Sequence, residues 1–225
     1  SDLLRWEGYM LAFLGGTGPE GRGLALRYAL AGEDVVIGSR NEARAEEIAK
    51  ELLELVPKAT ILGVENRVAA DLGDTVFVTV PYEAQKSLLG TLQNSLVGKV
   101  VVNVIAPLHF SKGKARAIHV DEGSAAIQAQ QLLPKSSVVA AFQNVSAVEL
   151  LTPDHVMDGD VVVCSDHQEA KQKVMGLAQK IRALRPVDGD GLENARYLEE
   201  FTALLLNINR IYRCHSAIKI IGIPE

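Results

Sequence analysis

The chain has 225 residues, 48% hydrophobic, 5% aromatic and 23% charged, with a formal net charge of −5. An acidic balance argues against a nucleic-acid binder, which normally carries a basic surplus. No apolar run reaches the roughly 20 residues needed to cross a bilayer. Cys164 and Cys214 lie far apart without CxxC spacing, which argues against both a zinc site and a disulfide framework. Residues 1–8 are polar and charged and show no signal-peptide pattern, so the cytoplasm is the expected compartment and small molecules the expected partners.

With few aromatics, the core falls to Val, Ile, Leu and Ala, which suits buried parallel strands and the helices that cover them. In chain order, residues 9–14 read as a strand, 21–31 as a helix and 34–37 (DVVI) as a second strand. A long helix follows over 41–55, with Asn41 placed to cap it and Glu42 placed at the positive end of its dipole. Residues 60–62 form a short strand, and 75–80 (TVFVTV) a fourth, ended by Pro81, which lacks an N–H for the ladder. Residues 82–93 read as a helix and 99–104 (KVVVNV) as the fifth strand. Residues 106–120, with Pro107, His109, Gly113 and His119, read as a loop. Ser124 is placed to cap a helix over 124–132. Strands follow at 137–141 and 161–164 (VVVC), then an amphipathic helix over 167–183, with Ala170, Val174, Leu177, Ala178 and Ile181 at helical spacing. An edge strand at 185–188 and a final helix over 193–213 complete the chain.

This alternation predicts an α/β fold: a Rossmann-like doubly wound, mostly parallel sheet with helices on both faces and a C-terminal helical extension. No Gly-, Pro- or Ser-rich linker divides it. Residues 1–225 are expected to form one domain, with 193–225 a helical segment that closes a cleft or makes a dimer contact.

The first strand runs into Gly15-Gly16-Thr17-Gly18-Pro19-Glu20-Gly21-Arg22-Gly23. Gly16, Gly18 and Gly21 fit G-x-G-x-x-G: the first for a tight turn, the second for close approach to a pyrophosphate, the third for a helix lying against the sheet. The helix start presents N–H groups to the anion, and Thr17 adds a hydroxyl. The second strand then selects the nucleotide. An acidic residue ~20 residues past the glycines would hold a ribose 2′-hydroxyl and mean NAD. Gly38-Ser39-Arg40 stand there instead. A carboxylate would repel a 2′-phosphate, whereas Ser39 donates a hydrogen bond to it and Arg40 grips it with a planar, charged fork. Arg44, one helical turn on, is placed to reach the same phosphate. The competing reading makes Arg40 and Arg44 solvated surface cations, but cations gain nothing from the dipole at a helix start. NADP(H) is the expected cofactor.

No catalytic residue and no metal-ligand set stands out. None of His109, His119, His155, His167 and His215 sits in a recognisable catalytic spacing. His109 draws most interest, because it follows the fifth strand at the carboxyl edge of the sheet, where ligands bind in such folds. Lys112, Lys114 and Arg116 form a basic cluster that is either a solvated loop or an attractor for an anionic ligand at the cleft mouth. Tyr82 is expected to stack on a ring, and Cys164 to be a small core residue.

The run LGGTGPEGRGLA from Leu14 to Ala25, followed by Gly38-Ser39-Arg40, resembles the NADPH-dependent reductases of coenzyme F420. The likeness continues at Thr79-Val80-Pro81-Tyr82, at Cys164-Ser165-Asp166, at Leu184-Arg185-Pro186-Val187-Asp188, and at Leu206-Asn207-Ile208-Asn209-Arg210 with Ile218-Lys219. It thus spans nearly the whole chain. The later segments are shared with a wider group that includes the cytosolic domain of six-transmembrane ferric reductases. The resemblance implies an oxidoreductase that passes a hydride directly between NADP(H) and the 5-deazaflavin ring of F420, its second substrate. It implies that Thr17, Gly18, Pro19 and Glu20 wrap the pyrophosphate, and that Ser39, Arg40 and Arg44 hold the 2′-phosphate. Val80 and Pro81 would line the groove, Ala147 would sit by the nicotinamide, and Ile218 would back the rings. A homodimer is expected from the resemblance and from the apolar last helix. The chain departs from the family pattern at Gln143-Asn144-Val145-Ser146, where the family carries His-Thr-Ile-Pro. Hydride transfer between two held rings needs alignment and excluded water more than an acid–base pair. Two other readings stay open: an NADP-dependent dehydrogenase or reductase of a small organic substrate, and a non-catalytic NADP-binding redox sensor.

Overall fold

The computed structural model describes residues 8–223. The polar start in which no signal-peptide pattern was read lies, apart from Gly8, outside the described residues. The chain begins with β1 (Met10–Leu14), α1 (Pro19–Leu30), β2 (Asp34–Ser39), α2 (Glu42–Leu55) and β3 (Ile61–Glu65). It continues through α3 (Asn66–Leu72), β4 (Thr75–Val78), α4 (Tyr82–Leu92) and β5 (Val100–Asn103). A hairpin of β6 (Leu108–Ser111) and β7 (Lys114–Ala117) leads to α5 (Ala125–Leu132) and β8 (Ser137–Ala140). Last come α6 (Ala147–Leu150), β9 (Gly159–Val163), α7 (Gln168–Lys180), β10 (Leu184–Asp188), a 3-10 turn at Leu192–Asn194 and α8 (Ala195–Tyr212).

The predicted parallel sheet is present, with six strands in the order β3-β2-β1-β4-β5-β8. The chain winds outward from β1 through β2 to β3, then crosses back to β4 on the other side of β1. The carboxyl ends of β1 and β4 therefore flank the switch point, where such sheets open a crevice. Strand alternation sorts the apolar residues onto two faces. Leu11 and Phe13 pack with Val35, Ile37 and Phe77 on one side. Met10, Ala12 and Leu14 pack with Val36, Val76 and Val78 on the other. Phe13 stacks on Phe77 at 4.8 Å, and Tyr28 of α1 meets Phe77 at 5.5 Å, which seats that helix on the sheet. Each such side chain contributes about 1.5–3 kcal/mol when fully buried.

Both predicted caps form. Asn41 Oδ1 accepts from Arg44 N at 3.3 Å, and Ser124 Oγ accepts from Ile127 N at 3.0 Å. The start of α5 is also held by the buried Glu199 carboxylate, which accepts from Ala125 N and Ala126 N; burial pushes that carboxyl up to about 7. α1 starts at Pro19 rather than Gly21, because proline presets the helical φ at a position that needs no N–H.

Two short helices, α3 and α6, escaped the periodicity reading, since seven and four residues hold too few turns to show a period. The loop expected over 106–120 contains a hairpin. Its two-residue turn is Lys112-Gly113, with φ of 50° and 73°, the left-handed pair whose twist matches the flanking strands. The hairpin is tied to α8 by Asn207, whose side chain bonds both Ala115 N and Ala115 O. β9 and β10 pair parallel with each other, and one antiparallel bridge, Ala140 to Cys164, joins them to β8. Cys164 is a buried core residue whose thiol burial pushes up to about 11.

Candidate active site

The turn after β1 is built by backbone constraints. Gly15, at φ +71°, takes the left-handed conformation, and a Cβ there would lie 2.4 Å from Val80 Cγ1. The tight turn thus belongs to Gly15, one residue before the motif glycine Gly16 to which the spacing assigned it. Gly21 performs its expected role: a Cβ on it would lie 2.6 Å from Gly16 Cα and 2.6 Å from Thr79 Oγ1, so only glycine lets α1 sit this close. Gly16 and Gly21 lie beneath the turn rather than on its open side. Two residues to which the sequence reading gave no role in the turn brace it. Asn66 Oδ1 accepts from Gly15 N at 3.0 Å, and Thr79 Oγ1 donates to Leu14 O at 2.9 Å. The doublet Gly15-Gly16 was the available signal for the first correction; Asn66 carries none, since it opens a helix the pattern does not reveal.

The turn faces a cleft of about 810 Å³. Thr17, Gly18, Pro19 and Glu20 form one wall, Ser39 and Arg40 one end, and Val80, Pro81 and Tyr82 the facing wall. Ser39 is buried, and its Oγ accepts from Asn41 N at 3.1 Å, leaving its hydroxyl hydrogen to donate. Arg40 is exposed, lines the cleft and meets no carboxylate partner among the described residues. Tyr82 stands at the first position of α4, with its hydroxyl accepting from Gln128 Nε2 at 3.3 Å; burial raises its pKa.

A second cavity of about 570 Å³ adjoins the first. Ala147 and its neighbours after β8 line it, together with Leu205 of α8 and residues 213–216. Its α6 wall is clamped to α1 by one side chain. The buried Arg27 guanidinium donates to the carbonyl oxygens of Glu149, Leu150, Thr152, Pro153 and His155, at 2.6–3.4 Å. α6 also lies so close to α1 that a Cβ on Gly23 would fall 2.6 Å from Leu150 Cβ.

Glu20 and Gln143 line both cavities. Glu20 Oε1 is buried without a hydrogen-bond partner, and burial pushes its carboxyl up to about 8. Gln143 Nε2 donates to Asn103 O at 3.0 Å, and its Oε1 is buried without a partner. Gln143 entered the sequence reading only as a departure from a family pattern.

Two expected residues lie elsewhere. Arg44 points along the outer face of α2, with Nη1 2.5 Å from Glu47 Oε2, and lines neither cavity. Ile218 lies beside β9, where its carbonyl accepts from Asp160 N at 2.7 Å; Arg185 Nη2 anchors the same stretch by donating to Ile220 O. His109 is exposed on β6, and Lys112, Lys114 and Arg116 stand on the same hairpin, outside both cavities. His215, by contrast, lines the second cavity. No group of three or more His, Cys, Asp or Glu residues among the described residues is placed to hold a metal ion, and no described helix is long and apolar enough to cross a membrane.

A parallel sheet with a glycine turn at its switch point and a cleft beyond the strand ends defines a Rossmann-type dinucleotide-binding protein. Residues 10–107 match the family described as NADP oxidoreductase coenzyme F420-dependent. The chain is 40% identical over 222 residues to the F420-dependent NADP reductase of Methanothermobacter marburgensis, covering 96% of this chain and 99% of that one. It is 40% identical over 209 residues to the protein of the same name from Methanocaldococcus jannaschii, covering 90% and 93%. In fold, it superposes on a crystal structure from Arthrobacter sp. with a TM-score of 0.80 at 23% identity, over 95% of this chain and 99% of the other. The chain belongs to the F420-dependent NADP reductase family.

Proposed function

We propose that the chain is an oxidoreductase that moves a hydride between NADP(H) and the deazaflavin coenzyme F420. The observation that carries this reading is one cleft onto which Ser39, Arg40 and the start of α1 all open, meeting a second cavity at its far end. In this reading Thr17–Glu20 wrap the pyrophosphate, bonded by the Thr17 hydroxyl and by amides of the turn and first helical turn other than Pro19, which has no N–H, and Gly18, whose N–H donates to Gly15 O. Ser39 and Arg40 take the 2′-phosphate. Val80, Pro81 and Tyr82 wall the nucleotide, and Ala147 stands in the second cavity beside the reacting rings. Gly16 and Gly21 support the turn from below. The proposed set leaves out Arg44 and Ile218. NADP(H) supplies or takes the hydride; the protein aligns two rings and excludes water.

Residues 193 onward serve in this reading as a wall of the second cavity. The outer side of α8 exposes Tyr197, Phe201, Leu204 and Ile211 at helical spacing, an apolar stripe that favours a homodimer contact. Light scattering should then return a dimer mass that Leu204→Glu reduces to a monomer. Both coenzymes are anionic small molecules, and a cytoplasmic setting follows from the reading. The decisive assay mixes protein, NADPH and oxidised F420 and follows the deazaflavin absorbance, which should fall. NADPH binding without transfer in either direction would replace this reading with a redox sensor.

A further inference from the structure

Among the described residues, Glu20 and Gln143 alone line both cavities, so they form the threshold between them. They reach it from different parts of the fold, Glu20 from the first turn of α1 and Gln143 from the segment after β8. Each has a buried oxygen with no partner among the described residues. Native folds rarely strand buried polar atoms, and such atoms mark places where a further group completes the hydrogen bonding.

Their chemistry is complementary. The bond from Gln143 Nε2 to Asn103 O orients the amide and leaves Oε1 as its unfilled acceptor. Among the described residues Glu20 has no cation partner, and burial raises its pKa to about 8, so near neutral pH its carboxyl carries a proton and donates. The titratable groups lining the cavities with it are Arg40 and Tyr82 on one side and Arg213, Cys214 and His215 on the other. Arg22, next but one on α1, is paired with Glu51. An acceptor and a donor facing one space suit a planar group with an N–H beside a C=O.

We propose that Glu20 and Gln143 are positioning residues for the carboxamide of the nicotinamide ring. The amide NH₂ donates to Gln143 Oε1, and the amide oxygen accepts from the Glu20 carboxyl. Gripped at its amide, the ring no longer turns about its glycosidic bond and offers one fixed face to the second cavity. This inference rests on the NADP reading.

The test compares NADPH with 2′-phospho-ADP-ribose, the same nucleotide without the nicotinamide ring, by calorimetry. Glu20→Leu and Gln143→Leu should each weaken NADPH about tenfold, the size of one lost buried hydrogen bond, and leave 2′-phospho-ADP-ribose within about twofold. Glu20→Gln keeps a donor and should retain most NADPH affinity. It should also remove the weakening that the wild type shows as pH rises through about 8. Equal losses for both ligands, no loss for NADPH, or a raised KM for F420 alone would overturn the proposal. If the wild type does not bind 2′-phospho-ADP-ribose, the NADP reading itself falls, and the proposal with it.

Discussion

The two cavities that meet at Glu20 and Gln143 are built by opposite means. The turn wall of the first comes from one contiguous stretch, in which Gly15, Gly16 and Gly21 let strand, turn and helix crowd together, with Ser39 and Arg40 at the end of the next strand. The second is assembled from distant segments, and its α6 wall is held by Arg27, which reaches carbonyls 122 to 128 positions away. One half of the site depends on what the backbone is allowed to do; the other depends on one buried cation gathering the carbonyls of a single segment. Lesions should therefore separate: nucleotide affinity on one side, stability and second-substrate geometry on the other.

Arg27→Met tests that separation hardest. It removes five hydrogen bonds from one buried guanidinium, the one to Leu150 O fully buried, and should destabilise the fold by about 3 kcal/mol, as read by urea denaturation. The surviving native protein should bind NADPH as before while KM for F420 rises. A parallel loss of NADPH affinity would mean that the two halves are not independent.

Arg40→Ala is the converse. Losing a charge-assisted bond of about 1.5–3 kcal/mol should weaken NADPH roughly ten- to hundredfold, with NADH and urea stability nearly unchanged. Equal weakening of NADH would remove the 2′-phosphate role.

The threshold joins the halves through pH. Burial raises the carboxyl pKa of Glu20 to about 8 and that of Glu199 to about 7, so the folded state holds protons that the unfolded chain releases near 4.5, the ordinary carboxylate value. Stability from these groups is complete below that value and is lost as pH rises through 7 and 8. Asp160 and Asp188 act in the other direction: their salt partners Arg185 and Lys171 depress their pKa values, so their contribution fades in acid. The Tm should therefore fall from pH 5 to pH 8.5, and Glu20→Gln should flatten part of that fall. A wild-type Tm that rises across this window would contradict the buried, protonated Glu20.

The smallest expected effect is the sharpest check on side-chain direction. Arg44 is turned to Glu47, a surface pair worth about 0–1 kcal/mol, so Arg44→Ala should change NADPH affinity by less than about twofold. A loss as large as that of Arg40→Ala would show that Arg44 swings into the cleft.

Most of the sheet was legible because its strands are short runs dominated by β-branched and aromatic residues, such as TVFVTV and VVVN, bounded by turns. The caps at Asn41 and Ser124 were legible because they act within three residues. What stayed hidden depended on direction or distance. The spacing of Arg44 fits a phosphate as well as it fits Glu47. Ile218 follows the path of the tail along β9, set by Asp160 and Arg185. The Lys112-Gly113 turn looked like open loop because only one of its two left-handed residues is glycine. Gln143 became conspicuous only once its unpartnered oxygen was seen beside that of Glu20.

The single bridge between Ala140 and Cys164 turns β9 and β10 against the other six strands, so their carboxyl ends leave the sheet on the rim away from the cleft. The connections at 165–167 and 189–191 emerge there, before α8 carries the chain back towards the second cavity. Those two connections are laced together and to β8: Ser165 N donates to Asp190 O, the buried Ser165 Oγ to Val138 O, and Leu192 N to Asp166 Oδ1, so this rim is a fixed foundation at the remove of a full strand from the chemistry.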